Sequence, residues 1–162
     1  MKRRDFSVAA LAACSWGGSA MAQGNKKPEE GIEYVSLDKR VPTEVADGKV
    51  EVIEFFWYSC PHCNAFEPQF KAWIERQSKD VVVKRVPVHF REDFEPQQRM
   101  YFTLEALGKV DALHAKVFQA IHVDRLPLNN AEQLAAWAAK NGIVAKDFNQ
   151  ASHFELFLNI LY

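Results

Sequence analysis

Residues 50 to 74, VEVIEFFWYSCPHCNAFEPQFKAWI, change their period partway along, and this change restricts the fold more than anything else in the chain. Val50 to Tyr58 is nearly continuous apolar and aromatic sequence, which predicts a strand buried on both faces of a parallel or mixed sheet. From Pro61 onward, Phe66, Phe70, Trp73 and Ile74 fall at helical spacings, so the strand hands over directly to a helix. Pro61 suits the first helical position, where its missing N–H costs nothing. Pro68 lies inside the expected helix and predicts a kink. Val81 to Val88 is a second β-branched run, so residues 50 to 88 read strand–helix–strand, and a right-handed crossover lays the two strands parallel.

At the junction stands Cys60-Pro61-His62-Cys63. A thiol in the first turn of a helix faces unpaired backbone N–H groups and the positive end of the macrodipole. Both favour the thiolate, so Cys60 is expected to be acidified and reactive toward disulfides. Cys63, one turn in, is expected to be more covered and to resolve a mixed disulfide, and His62 can add donors or positive charge beside the sulfur. Two other readings stand beside this one. A structural zinc site needs two further ligands, and His89, His114, His122 and His153 are scattered without a second paired spacing. A purely structural disulfide would close a very small loop and restrain the unfolded chain little.

Residues 1 to 22, MKRRDFSVAALAACSWGGSAMA, have a basic start, a modest apolar run and a small-x-small ending at Ala20-Met21-Ala22, the layout of a secretory signal peptide. Arg3-Arg4-Asp5-Phe6 resembles a twin-arginine export signal. Leu11-Ala12-Ala13-Cys14 resembles a lipobox that would place a lipid on Cys14, but the apolar stretch before it is short, and release as a soluble protein is expected. The whole chain carries a net charge of −1; the leader is basic, which leaves −3 on the remainder. That balance gives no basic field for nucleic acid. Outside the leader the only cysteines are Cys60 and Cys63, and an oxidising compartment makes stray thiols a liability.

Elsewhere the pattern is α/β. Ile32 to Leu37 alternates like a half-buried strand, and Asp38 to Lys49 reads as a connection ending in the Asp47-Gly48 turn signal. After Pro96 helices are expected near Gln97 to Leu107, Lys109 to Ile121, Ala131 to Asn141 and from Lys146 onward, with Asn130 as N-cap and Gly142 just past an end. Phe55, Phe56, Trp57 and Tyr58 read as core and rim aromatics, with Trp57 or Tyr58 free to face a substrate groove. No metal, nucleotide or organic cofactor is indicated.

The EFFWYSCPHC junction behind an export signal resembles the DsbA-type thiol:disulfide oxidoreductases of the bacterial periplasm, whose dipeptide between the cysteines is Pro-His. The resemblance implies a thioredoxin-like α/β fold with an inserted helical domain, and an acidified, strongly oxidising cysteine pair is that family's behaviour. It implies redox-tuning roles for Pro61, His62 and Glu54, the last as a buried acid beneath the site. It places Glu67 as a second acid, Pro68 as the helix-kinking proline, and Arg85 or Lys84 as the basic partner of the buried acid. Reduced exported proteins are the implied substrates, and a membrane thiol oxidase the implied partner that reoxidises the pair. A reductase or isomerase of the same fold is the nearest alternative.

The family pattern also calls for a valine–proline pair, two more strands and a terminal helix after the helices, for which the chain to Tyr162 shows no counterpart. The resulting expectation divides the chain into a signal peptide (1–22), the N-terminal part of a thioredoxin-like domain (23–94) and a truncated helical insertion (95–162), with the C-terminal strand–strand–helix portion missing. The closing FELFLNILY stretch then reads as a chain cut short, and the strand at 50 to 58 is expected to expose edge and apolar surface. A core so reduced makes a non-functional fragment the third reading.

Overall fold

The computed structural model describes residues 26–158, with side chains described as far as residue 151. The expected leader, its lipobox cysteine and the end of the FELFLNILY stretch lie outside the described residues. Two compact units divide between Pro42 and Thr43.

In the first unit the expected strand at residues 32 to 37 is absent. Gly31 takes a left-handed φ of 86° and donates its N–H to the Tyr34 carbonyl at 2.7 Å, and a single bridge joins Glu30 to Tyr34. The Glu29 N–H donates to the Glu33 carboxylate at 2.7 Å. Alternating side chains predict a strand only where the backbone donors are left for a neighbouring strand, and here local turns take them.

The second unit begins with β1 (Val50–Phe56), then α1 (Pro61–Ile74) and β2 (Val81–Pro87). The strands are parallel with Glu54 opposite Arg85 and Phe56 opposite Pro87, as the strand–helix–strand pattern requires. The hydrogen-bond ladder continues past the strand end, where the Val88 N–H donates to the Phe56 carbonyl at 2.8 Å. Pro61 occupies the first turn of α1, and the helix runs through Pro68 without ending there.

Burial of β1 on both faces is not what the structure shows. Phe56 is fully buried, whereas Ile53 is 42% and Phe55 65% exposed. The physical reason is that, among the described residues, the sheet is covered on one face and the face of Ile53 and Phe55 is left open. Helices cover the face that carries Glu54 and Phe56. The opposite face is charged near its start, where Lys84 pairs with Glu51 at 3.2 Å and with Glu44.

A short 3-10 turn (Glu92–Phe94) leads into α2 (Glu95–Ala106), followed by α3 (Val110–His122), α4 (Ala131–Lys140) and α5 (Ala145–Leu158). The expected punctuation of α4 is present. Asn130 Oδ1 accepts the Gln133 N–H at 3.0 Å, the usual N-cap bond, and Gly142 beyond the C-terminus has φ 84°, the left-handed position where glycine escapes the Cβ clash. Phe56 and Tyr58 sit in the same buried cluster as Met100, Leu104, Val117, Leu134 and Ala138. Strand and helices therefore share one core, and the end of β1 is built into it.

Candidate active site

The chain turns sharply after β1. The Cys60 N–H donates to the Trp57 carbonyl at 3.0 Å, closing a turn over residues 57 to 60. Cys60 then serves as the N-cap of α1, with φ −77° and ψ 117°. Pro61 follows with no N–H to offer, so the first free donors of the helix are those of His62 and Cys63. Both thiols are free and partly buried, and Cys63 packs against the core cluster.

The two sulfurs differ in acidity. For Cys60, burial pushes the pKa up, but the Cys63 N–H, the Cys63 thiol and the His62 N–H together outweigh it and hold the group below its ordinary value. The neutral thiol makes no capping hydrogen bond; the same donors act on the ionised sulfur, which is the stronger acceptor. For Cys63, burial is the largest effect and raises the pKa. The Trp57 backbone opposes it, while the thiol and charge of Cys60 and the carboxylate of Glu54 add to the rise. The two sulfurs are thus shifted in opposite directions, an asymmetry suited to nucleophile and leaving-group roles.

Beneath the pair lies a buried charge cluster. Glu54 on β1 and Glu67 on α1 flank Arg85 on β2. Arg85 Nε donates to Glu54 Oε2 at 2.9 Å, and Nη2 donates to both Glu67 oxygens at 3.0 and 2.9 Å. Of the two bases the family pattern allowed, the acid beneath the site takes Arg85; Lys84 points to the other face. Burial raises the Glu54 pKa despite Arg85. In Glu67 burial also raises it, but His114 and Arg85 prevail and the net shift is downward.

His114 was only one of several dispersed histidines in the sequence, and the structure places it beside Glu67 of this cluster. Its ring is 3% exposed, with Nδ1 2.9 Å from the Tyr58 hydroxyl and Nε2 3.6 Å from Glu67 Oε2. Phe56 meets it edge to face at a 5.0 Å centroid distance. A sequence signal existed: His114 sits beside Leu113 and three and four residues before Val117 and Phe118, on the buried stripe of α3. Tyr58 is 1% exposed and lies in the core, so it does not face a groove. Trp57 stacks on Phe94 at 3.9 Å and 6°. His62 is exposed on the surface between the cysteines.

A strand that ends in a cysteine-capped helix, with a second cysteine one turn in and a parallel neighbour strand, defines the thioredoxin-like class of CxxC proteins. A scan against protein-family models matches none. Among curated proteins, the thiol:disulfide interchange protein DsbA of Pseudomonas syringae pv. tomato is 38% identical over 148 residues, covering 91% of this chain and 68% of the relative. DsbA of Bordetella parapertussis is 40% identical over 147 residues, covering 90% of this chain and 66% of its own length. A crystal structure of a Pseudomonas aeruginosa DsbA variant matches with a TM-score of 0.72 at 36% identity, covering 78% of this chain and 68% of that one. Reduced DsbA1 from Neisseria meningitidis matches at 27% identity with a TM-score of 0.64, covering 77% and 66%. The chain belongs to the DsbA family of thiol:disulfide interchange proteins. It spans about two thirds of the length of the curated relatives it matches, 66% for the Bordetella pertussis protein.

Proposed function

We propose that the protein donates the Cys60–Cys63 disulfide to reduced, exported proteins in the periplasm. The observation that carries this reading is the opposite displacement of the two thiols about a helix N-cap: Cys60 lowered, Cys63 raised. A stabilised thiolate stabilises the reduced pair, which makes the disulfide an oxidant. Each pKa unit corresponds to about 1.4 kcal/mol, or about 30 mV for two electrons.

The steps follow from sulfur chemistry. A substrate thiolate attacks Cys60 Sγ of the disulfide; the Cys60–Cys63 bond breaks, a substrate–Cys60 bond forms, and Cys63 leaves and takes up a proton. A second substrate thiolate attacks the substrate sulfur of the mixed disulfide, and Cys60 leaves as the thiolate. The substrate has lost two electrons, and the cysteine pair has gained them. A low pKa makes Cys60 the better leaving group in this second step.

In this reading Pro61, His62 and Glu54 tune the pair. Pro61 fixes the first turn without competing as a donor. His62 contributes its N–H and an exposed imidazole beside the sulfur. Burial is the main cause that raises the Cys63 pKa, and the Glu54 carboxylate adds to it. A membrane thiol oxidase would accept the two electrons and restore the disulfide, and the basic, apolar start of the chain would serve export.

Thiolate absorbance titrated against pH on the wild type and on Cys60→Ser tests the proposal. The wild type is expected to show one thiol ionising well below an ordinary cysteine, lost in Cys60→Ser, together with a glutathione equilibrium that favours the reduced protein. Peptide-like ionisation of Cys60, or a potential near that of a reductase, would overturn it.

A further inference from the structure

Each of the three residues that lead into Cys60 is held by the chain that follows β2. The Trp57 ring stacks on Phe94. The Tyr58 carbonyl accepts a hydrogen bond from His122 Nε2 at 2.8 Å, and because a carbonyl can only accept, Nε2 carries the proton. Ser59 is held twice by one side chain: its N–H donates to Gln97 Oε1 at 3.1 Å and its Oγ accepts from Gln97 Nε2 at 2.7 Å.

Gln97 is 3% exposed on α2. Besides Ser59, its Nε2 donates to the Leu128 carbonyl at 2.8 Å, in the connection between α3 and α4. This set allows a single orientation of the amide. A flip would turn the NH2 toward the Ser59 N–H and the oxygen toward the Leu128 carbonyl, donor against donor and acceptor against acceptor. The side chain is therefore locked, and it locks Ser59. The backbone at Ser59 sets where the next residue, Cys60, directs its Cβ–Sγ bond relative to the free donors of α1.

We propose that Gln97 is a positioning residue for thiol–disulfide exchange: through Ser59 it fixes the turn that presents the Cys60 sulfur to the N–H groups of His62 and Cys63. This rests on the disulfide-donor reading above. It makes the helical segment part of the reactive turn, and it assigns a role to a buried amide that packing alone does not call for. An amide at this depth keeps its place only with its partners satisfied, and two of its three bonds go to the residue before Cys60.

The test is Gln97→Met, which keeps the side-chain bulk and removes the amide, with Ser59→Ala as the second variant. In the full chain, Gln97→Met is expected to lower the Cys60 thiolate fraction, at a pH below its pKa, by about fivefold, the equivalent of one typical hydrogen bond. The equilibrium with glutathione should move toward the disulfide by a similar factor, and Ser59→Ala should move both in the same direction by less. A Gln97→Met protein that melts at a lower temperature but keeps the wild-type thiolate titration and glutathione equilibrium would reduce Gln97 to a packing residue and overturn the proposal. If Gln97→Met does not fold, Ser59→Ala decides, and an unchanged titration there overturns it equally. Failure of the donor reading is seen separately, in the wild type, as a Cys60 that titrates like a peptide thiol, while the variant-to-wild-type ratio still reads the influence of Gln97.

Discussion

Arg85 holds Glu67 by both carboxylate oxygens through one nitrogen, Nη2, while its Nε is committed to Glu54. One guanidinium thus stands between two buried acids contributed by a helix and a strand. Removing one partner of a buried ion pair leaves an uncompensated charge, which typically costs about 3–5 kcal/mol. Arg85→Met is therefore expected to destabilise the protein by about that amount, read as a shift in the urea midpoint at neutral pH. A loss under about 1 kcal/mol would show that the cluster is solvated and worth no more than a surface pair.

The two acids of this cluster predict opposite slopes of stability against pH. Glu67 lies below the ordinary carboxylate value of 4.5, since His114 and Arg85 outweigh burial. Its contribution is present above that value and is lost as pH falls through its folded pKa. Glu54 lies above 4.5, burial being the dominant cause. The folded state then holds that proton more tightly than the unfolded chain, so its contribution is present below 4.5 and is lost as pH rises through its folded pKa. Urea unfolding from about pH 3 to about pH 7 should show Glu67→Gln flattening the acid limb and Glu54→Gln flattening the decline above it. Identical pH profiles for the two variants would contradict the assignment.

What the sequence revealed and what it hid have separable physical causes. The strand-to-helix junction, the parallel second strand and the caps of α4 were legible because each rests on local chemistry: a change of period, a proline with no donor, an asparagine before an alanine-rich run, a glycine after it. Residues 32 to 37 misled because Gly31 closes a turn that consumes the donors a strand needs. Double-sided burial of β1 misled because an apolar run states what a strand can bury, and not whether a layer packs on each of its faces. Gln97 and His122 gave no sign of a place near the cysteines, and His114 showed only its position on the buried stripe of α3. They reach Ser59 and Tyr58 across separations of 38, 56 and 64 residues, and only tertiary packing brings such pairs together.

The hydroxyl of Tyr58 and Nδ1 of His114 form a buried polar pair inside an aromatic shell. Tyr58→Phe would leave the imidazole nitrogen buried without its partner, a loss typically of about 1–3 kcal/mol. The variant keeps the ring and its packing, so the cost isolates the hydroxyl. Combining it with His114→Leu should cost less than the two single changes added together, because the second change removes the group that the first left unpaired. Strict additivity in chemical denaturation would show that the two side chains do not depend on each other.

Glu54 also connects the charge cluster to the chemistry. Burial is the main reason Cys63 holds its proton, and the Glu54 carboxylate adds to it. In Glu54→Gln the burial persists and the charge is gone, so Cys63 is expected to ionise more easily while Cys60 keeps its donors from α1. In the proposed mechanism Cys63 is the leaving group when a substrate thiolate opens the disulfide, and a leaving thiol of lower pKa departs faster. Mixed-disulfide formation with a cysteine-containing peptide, followed by stopped-flow Trp fluorescence, should therefore be faster in Glu54→Gln by about threefold. The separation of the mixed disulfide, in which Cys60 leaves, should change much less. Equal acceleration of both steps would mean that Glu54 acts on the whole helix end and not on Cys63, and a slower first step would reverse the sign of the coupling.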